Sequence, residues 1–170
     1  PSTASISAGP GGLVWMFIGF PKFWRQSRRR WGRKSGAAGL RNLYGDCYEP
    51  DMTAIKYEKE PGGISLAYRE DGPEDMTRCG FFWLGGFKSD MEGSKAETLA
   101  SLARDTRRPF LRFDYSGHGA SGGDFLDGTI SAWLDQSLHM FTRKALGRRI
   151  IVGSSMGGWL ALLLYRELQL

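Results

Sequence analysis

From residue 54 onward the apolar positions come in short blocks whose period changes from one block to the next. Residues 54–59 and 64–69 alternate as half-buried strands do, and they flank Pro61-Gly62-Gly63, which predicts a β-hairpin. Three compact apolar runs follow at 80–84, 110–114 and 150–152, each closed by glycine or a Gly/Ser turn. Runs of that length without alternation suit strands buried on both faces of a parallel sheet. Between them the period becomes helical. Ser94-Lys95-Ala96-Glu97 reads as a capping box with Ser94 as N-cap. Ala96, Leu99, Ala100 and Ala103 then continue along one helix face. Ile130, Trp133, Leu134, Leu138 and Phe141 mark a second amphipathic helix. Residues 159–164 are apolar all round, which predicts a third helix buried on every side. A hairpin followed by β-α-β-α-β-α predicts an α/β class domain with a doubly wound, mostly parallel sheet.

Residues 1–50 show no such order. They mix Gly, Ser and Arg with scattered aromatics. Charge separates them further: they hold eight Lys/Arg and two acids, a balance of +6, whereas 51–170 hold fifteen and sixteen, a balance of −1. The overall +5 therefore describes a basic arm and not the domain behind it. Three readings of the arm stay open. It is a disordered extension with Met52 as the true start, an acid-poor mitochondrial transit segment, or an arm that lies on a membrane surface. A bacterial protein would then be cytoplasmic, and a transit segment would direct the chain to the mitochondrial matrix. The 25–34 cluster with Trp24 and Trp31 could meet an anionic membrane or nucleic acid. A nucleic-acid partner is nevertheless not expected of the near-neutral 51–170 domain. The run at 13–20 is broken by Gly19 and falls far short of the ~20 apolar residues that span a bilayer. Cys47 and Cys79 are too few for a disulfide framework. No cofactor or metal is expected.

Candidate chemistry centres on Gly153-Ser154-Ser155-Met156-Gly157, which fits G-x-S-x-G with Ser155 central. A strand precedes it and an apolar helix follows it, the context that a nucleophile elbow requires. Such a turn strains the serine backbone and needs glycine on both sides. It projects the Ser155 hydroxyl at a helix N-terminus, where free N–H groups favour developing negative charge. A phosphate-binding loop is the competing reading, but no Gly-Lys-Ser/Thr follows and the spacing is not G-x-G-x-x-G. One oxyanion donor is expected from the Met156 N–H and the other from the loop after an earlier strand. Leu84-Gly85-Gly86-Phe87 stands in that place, with the Phe87 N–H as the donor.

The segments Phe82-Trp83-Leu84-Gly85-Gly86-Phe87, Arg112-Phe113-Asp114-Tyr115-Ser116-Gly117-His118-Gly119-Ala120-Ser121 and Val152-Gly153-Ser154-Ser155-Met156-Gly157-Gly158-Trp159, with the Met91-Glu92-Gly93-Ser94-Lys95-Ala96 loop, carry a family resemblance. Residues 51–170 resemble the N-terminal half of an α/β hydrolase. The joint pattern of these segments resembles the mitochondrial palmitoyl-protein thioesterase and acyl-glucuronide esterase family and its bacterial relatives. The resemblance implies the α/β-hydrolase fold, Ser155 as nucleophile, and small-molecule acyl esters or thioesters as substrates. Gly85 stands where many such hydrolases have His, which leaves the backbone donor in place.

A serine nucleophile needs a base oriented by an acid, and in this fold both follow the serine. Beyond Ser155 the sequence offers Glu167 as its one acid and no histidine. His118 in the Gly-His-Gly turn and His139 on the second helix read as surface or packing residues, and Asp114 as a structural turn residue. The strand at 150–152 also lacks a downstream neighbour. The expectation is a chain truncated after the elbow helix, with acid, base and lid supplied beyond residue 170. The competing class is a catalytically silent binding or scaffold protein built on the same fold.

Overall fold

A computed structural model describes residues 54–73 and 77–169 and the backbone of residues 15–17. The basic cluster at 25–34 and Cys47 lie outside the described residues. Among the described residues six strands form one mixed sheet: β1 (Trp15–Phe17), β2 (Lys56–Lys59), β3 (Ser65–Asp71), β4 (Gly80–Leu84), β5 (Phe110–Phe113) and β6 (Arg149–Gly153), in the order β1-β6-β4-β5-β3-β2. Strands β2 and β3 form the antiparallel hairpin, with Tyr57 opposite Ala67. Gly63 closes its turn at φ +92°, and the Glu60 carboxylate accepts the Gly62 and Ile64 N–H groups. Strand β3 pairs antiparallel with β5, while β4 runs parallel between β5 and β6.

Among the described residues three α-helices cover the sheet: α1 (Ser94–Asp105), α2 (Ile130–Lys144) and α3 (Met156–Gln169). Successive β4 side chains point to opposite faces, as the period of two demands. Phe81 and Trp83 pack with Ala96, Leu99, Ala100 and Ala103 of α1. Phe82 and Leu84 join Trp133 and Met140 of α2 and Leu160 and Leu164 of α3. All five β4 residues are buried. The run at 80–84 therefore reads as continuously apolar because both faces of the strand are covered.

Three local expectations need correction. The N-cap of α1 is Gly93, with no side-chain cap bond; Ser94 already lies inside the helix. The Glu97 carboxylate is drawn instead to the Arg112 guanidinium on β5, a buried cation that outcompetes a solvent-facing backbone N–H. Helix α3 is not buried all round, because only one of its faces meets the sheet. Leu160, Ala161 and Leu164 are covered, whereas Trp159 is 55% and Leu162 47% exposed. The outer edge of β6 has a neighbour from upstream: Trp15–Phe17 pairs parallel with it, Met16 opposite Val152.

Candidate active site

Ser155 occupies the junction of β6 and α3 at φ +55°, a left-handed conformation that non-glycine residues rarely adopt. Its flanking glycines are sterically required. A Cβ on Gly153 would lie 2.2 Å from Gly157 O, and one on Gly157 would lie 2.0 Å from Leu84 O. Strand, turn and helix are thus pressed backbone to backbone, and the exposed Ser155 stands at the tip. The turn is closed by Gly157 N–H to Ser154 O and Gly158 N–H to Ser155 O, at 3.0 and 2.9 Å. Beside it, Lys95 Nζ on α1 donates to Ser154 Oγ at 2.9 Å.

The end of β4 meets this elbow. Ser154 N–H donates to Leu84 O at 3.1 Å, and a Cβ on Gly86 would sit 3.6 Å from Ser155 Cβ. The chain then turns over Gly86-Phe87-Lys88-Ser89, closed by Ser89 N–H to Gly86 O at 3.0 Å. Lys88 takes φ +55° at the third position, where a turn of this kind favours glycine. Neither the Phe87 N–H nor the Met156 N–H has an acceptor among the described residues, nor does Ser155 Oγ make a hydrogen bond there.

Side chains from β5 and the turn after it hold this loop at four points. Tyr115 Oη donates to Gly85 O at 3.3 Å. His118 Nε2 accepts the Lys88 N–H at 3.3 Å. Asp114 Oδ1 accepts the Met91 N–H at 2.6 Å, and Arg112 Nη1 donates to Met91 O at 2.8 Å. All four side chains are buried. Burial pushes the Tyr115 hydroxyl far above its ordinary range, so it stays a neutral donor. Burial likewise raises the Asp114 carboxyl, opposed by the Ala120 and Met91 N–H groups that it accepts. Arg112 also grips Asp71 through Nε and Nη2 at 2.8 and 3.3 Å.

No protein-family model matches the chain. The rat mitochondrial palmitoyl-protein thioesterase ABHD10 is 34% identical over 110 residues, which cover 65% of this chain and 36% of that protein. The chain spans about a third of the length of the curated relatives it matches. The structure of mouse ABHD10, an α/β hydrolase domain-containing protein, superposes with a TM-score of 0.60 at 32% identity, over 65% of this chain and 43% of that one. A protein from Agrobacterium vitis S4 classed as a hydrolase gives 0.63 at 43% identity, over 68% and 46%. This is an α/β-hydrolase fold.

Within the hydrolase fold neither histidine engages Ser155. The ring of His118 is bonded to the backbone on both sides. His139 lies on α2, 3.4 Å from Glu58 Oε1, in a cluster completed by Lys144 at 2.7 Å. Asp114 is a turn organiser: besides Met91 it accepts the Ala120 N–H at 2.9 Å, and a Cβ on Gly119 would fall 2.0 Å from its Oδ2. A cavity lined by Lys88, Ser89, Asp90, His118 and Phe125 opens beside the turn and does not include Ser155. Among the described residues no group of three or more His, Cys, Asp or Glu could hold a metal, and no helix is long and apolar enough to cross a membrane. The four-point brace was not visible in the sequence, where Asp114, Tyr115 and His118 looked like an ordinary turn. Their partners lie 23 to 30 residues away.

Proposed function

We propose that Ser155 is the nucleophile of a serine hydrolase that cleaves acyl esters or thioesters. One observation carries this reading: an exposed serine held at positive φ between two glycines that admit no side chain, at the head of an α-helix. Strain of this sort at a non-glycine residue persists where the surroundings over-determine it, and it clusters at sites of chemistry. The two unengaged N–H groups, of Phe87 and Met156, supply the oxyanion hole.

In the reaction, Ser155 Oγ attacks the acyl carbonyl carbon as its proton passes to a base. The carbonyl oxygen becomes an oxyanion facing the Phe87 and Met156 N–H groups. Collapse breaks the bond to the alcohol or thiol, which takes the proton from the base. Water then attacks the acyl-serine, releasing the carboxylic acid and restoring Ser155. The histidine base and its acid come from outside the described residues. The thioester half of the proposal draws on the relatives whose printed name is palmitoyl-protein thioesterase. Removing an oxyanion donor costs about 10²–10³ in rate in comparable sites.

The test is covalent labelling of the full-length protein by a fluorophosphonate probe. Wild type should label and Ser155→Ala should not. Unchanged labelling of the alanine variant would sink the assignment. A protein that never labels would favour a silent binding module on this fold.

A further inference from the structure

The His118 ring is held by partners that select one tautomer. Its Nδ1 lies 3.1 Å from Ser116 O, a carbonyl that can only accept, so Nδ1 carries the proton. Its Nε2 lies 3.3 Å from Lys88 N, an amide that can only donate, so Nε2 must be bare. Protonating Nε2 would set two N–H groups against each other. Tyr115, Phe125 and Trp133 pack around the ring at centroid distances of 5.6, 5.2 and 5.0 Å and restrict its rotation.

The residue that His118 holds is the strained one. Lys88 at φ +55° holds a left-handed conformation that non-glycine residues rarely adopt. Released, the peptide between Phe87 and Lys88 can rotate and let Lys88 return to negative φ. That rotation disturbs the segment carrying the Phe87 N–H. Tyr115, Asp114 and Arg112 grip the loop at Gly85 and Met91, on either side of this peptide, and none touches the peptide itself.

We propose that His118 is a positioning residue: as the neutral Nδ1–H tautomer it locks the Phe87–Lys88 peptide and thereby aims the Phe87 N–H at the oxyanion. This rests on the reading of Ser155 given above. Misplacing a group by about 1 Å can cost on the order of 10²-fold in rate. Loss of the His118 bond should therefore lower turnover without weakening the encounter with substrate.

The test uses the full-length protein and two variants. His118→Phe keeps a ring in the aromatic enclosure and removes both nitrogens. His118→Gln returns an acceptor for the Lys88 N–H. With the fluorophosphonate probe, His118→Phe should cut the maximal labelling rate constant about 10- to 100-fold and leave the half-saturating probe concentration unchanged. His118→Gln should recover most of that loss. A residue that merely stabilised the fold would lower the fraction of molecules that label and leave the rate constant of the folded ones alone. Folded His118→Phe labelling at the wild-type rate, or His118→Gln as slow as His118→Phe, overturns the proposal. Long-range 1H–15N NMR of the wild-type ring decides independently of variant folding: a bare Nε2 supports it, and a protonated Nε2 refutes it. If Ser155→Ala labels like wild type, the Ser155 reading fails instead, and the two failures are distinguishable.

Discussion

Replacing Gly157 by alanine sets two magnitudes against each other. Gly157 is the second residue of α3. In a helix, alanine is favoured over glycine by up to about 1 kcal/mol. Against this, the added Cβ would lie 2.0 Å from Leu84 O, 2.4 Å from Gly85 O and 2.5 Å from Leu84 C. All three are backbone atoms, so no rotamer change gives relief. Separating α3 from β4 by more than an ångström is required, and overpacking of this kind costs about 1–3 kcal/mol or more. The shift also stretches the Ser154 N–H bond to Leu84 O, which contributes about 1 kcal/mol. The steric term outweighs propensity, and a net loss of about 2–3 kcal/mol is expected. Urea unfolding followed by circular dichroism measures it. With a slope of about 1–3 kcal/mol/M, the midpoint should fall by roughly 0.7–3 M. Gly85→Ala is the control, because its Cβ would meet nothing nearer than 3.8 Å. It should stay within about 0.5 kcal/mol of wild type. Equal stability of the two variants, or a stabilised Gly157→Ala, would show that the elbow is not packed as described.

Arg112→Met strands Asp71, whose side chain is 1% exposed, with Arg104 at 3.0 Å as its other cation. The expected loss is about 3 kcal/mol by urea unfolding. For Glu58, the Lys144 hydrogen bond holds the carboxyl below its ordinary value of 4.5. The folded state therefore prefers the ionised form, so its contribution is present above pH 4.5 and is lost as pH falls through the lowered value. Glu58→Gln should lower stability by under about 1 kcal/mol at neutral pH. Melting temperatures measured along an acid titration should converge with those of wild type, and a gap that widens in acid contradicts the ion pair.

Local periodicity reported the elements well because each depends on neighbours three or four residues away. Ala96, Leu99, Ala100 and Ala103 are the buried face of α1, and the hairpin closes at Gly63. The glycines of the elbow were legible for a similar reason: the clash they avoid is built by the same strand–turn–helix that the pattern announces. Tertiary competition was not legible. Glu97 left its cap for Arg112, a residue whose burial no local pattern states. Exposure of Trp159 and Leu162 depends on which face of α3 meets the sheet, and an all-apolar stretch carries no phase. The role of His118 was hidden likewise, since its acceptor and donor are both backbone groups with no side-chain signature.

The left-handed backbone at Ser155 has an evolutionary consequence. Glycine is the residue that this conformation accepts without penalty, so a change of Ser155 to glycine should make the chain more stable by a few tenths to about 1 kcal/mol. Selection for folding alone thus pulls this position toward glycine, and only a use for the hydroxyl holds it as serine. On the role proposed for Ser155, the codon at 155 across descendants of this chain becomes a record: serine where that chemistry is kept, and glycine where it is given up.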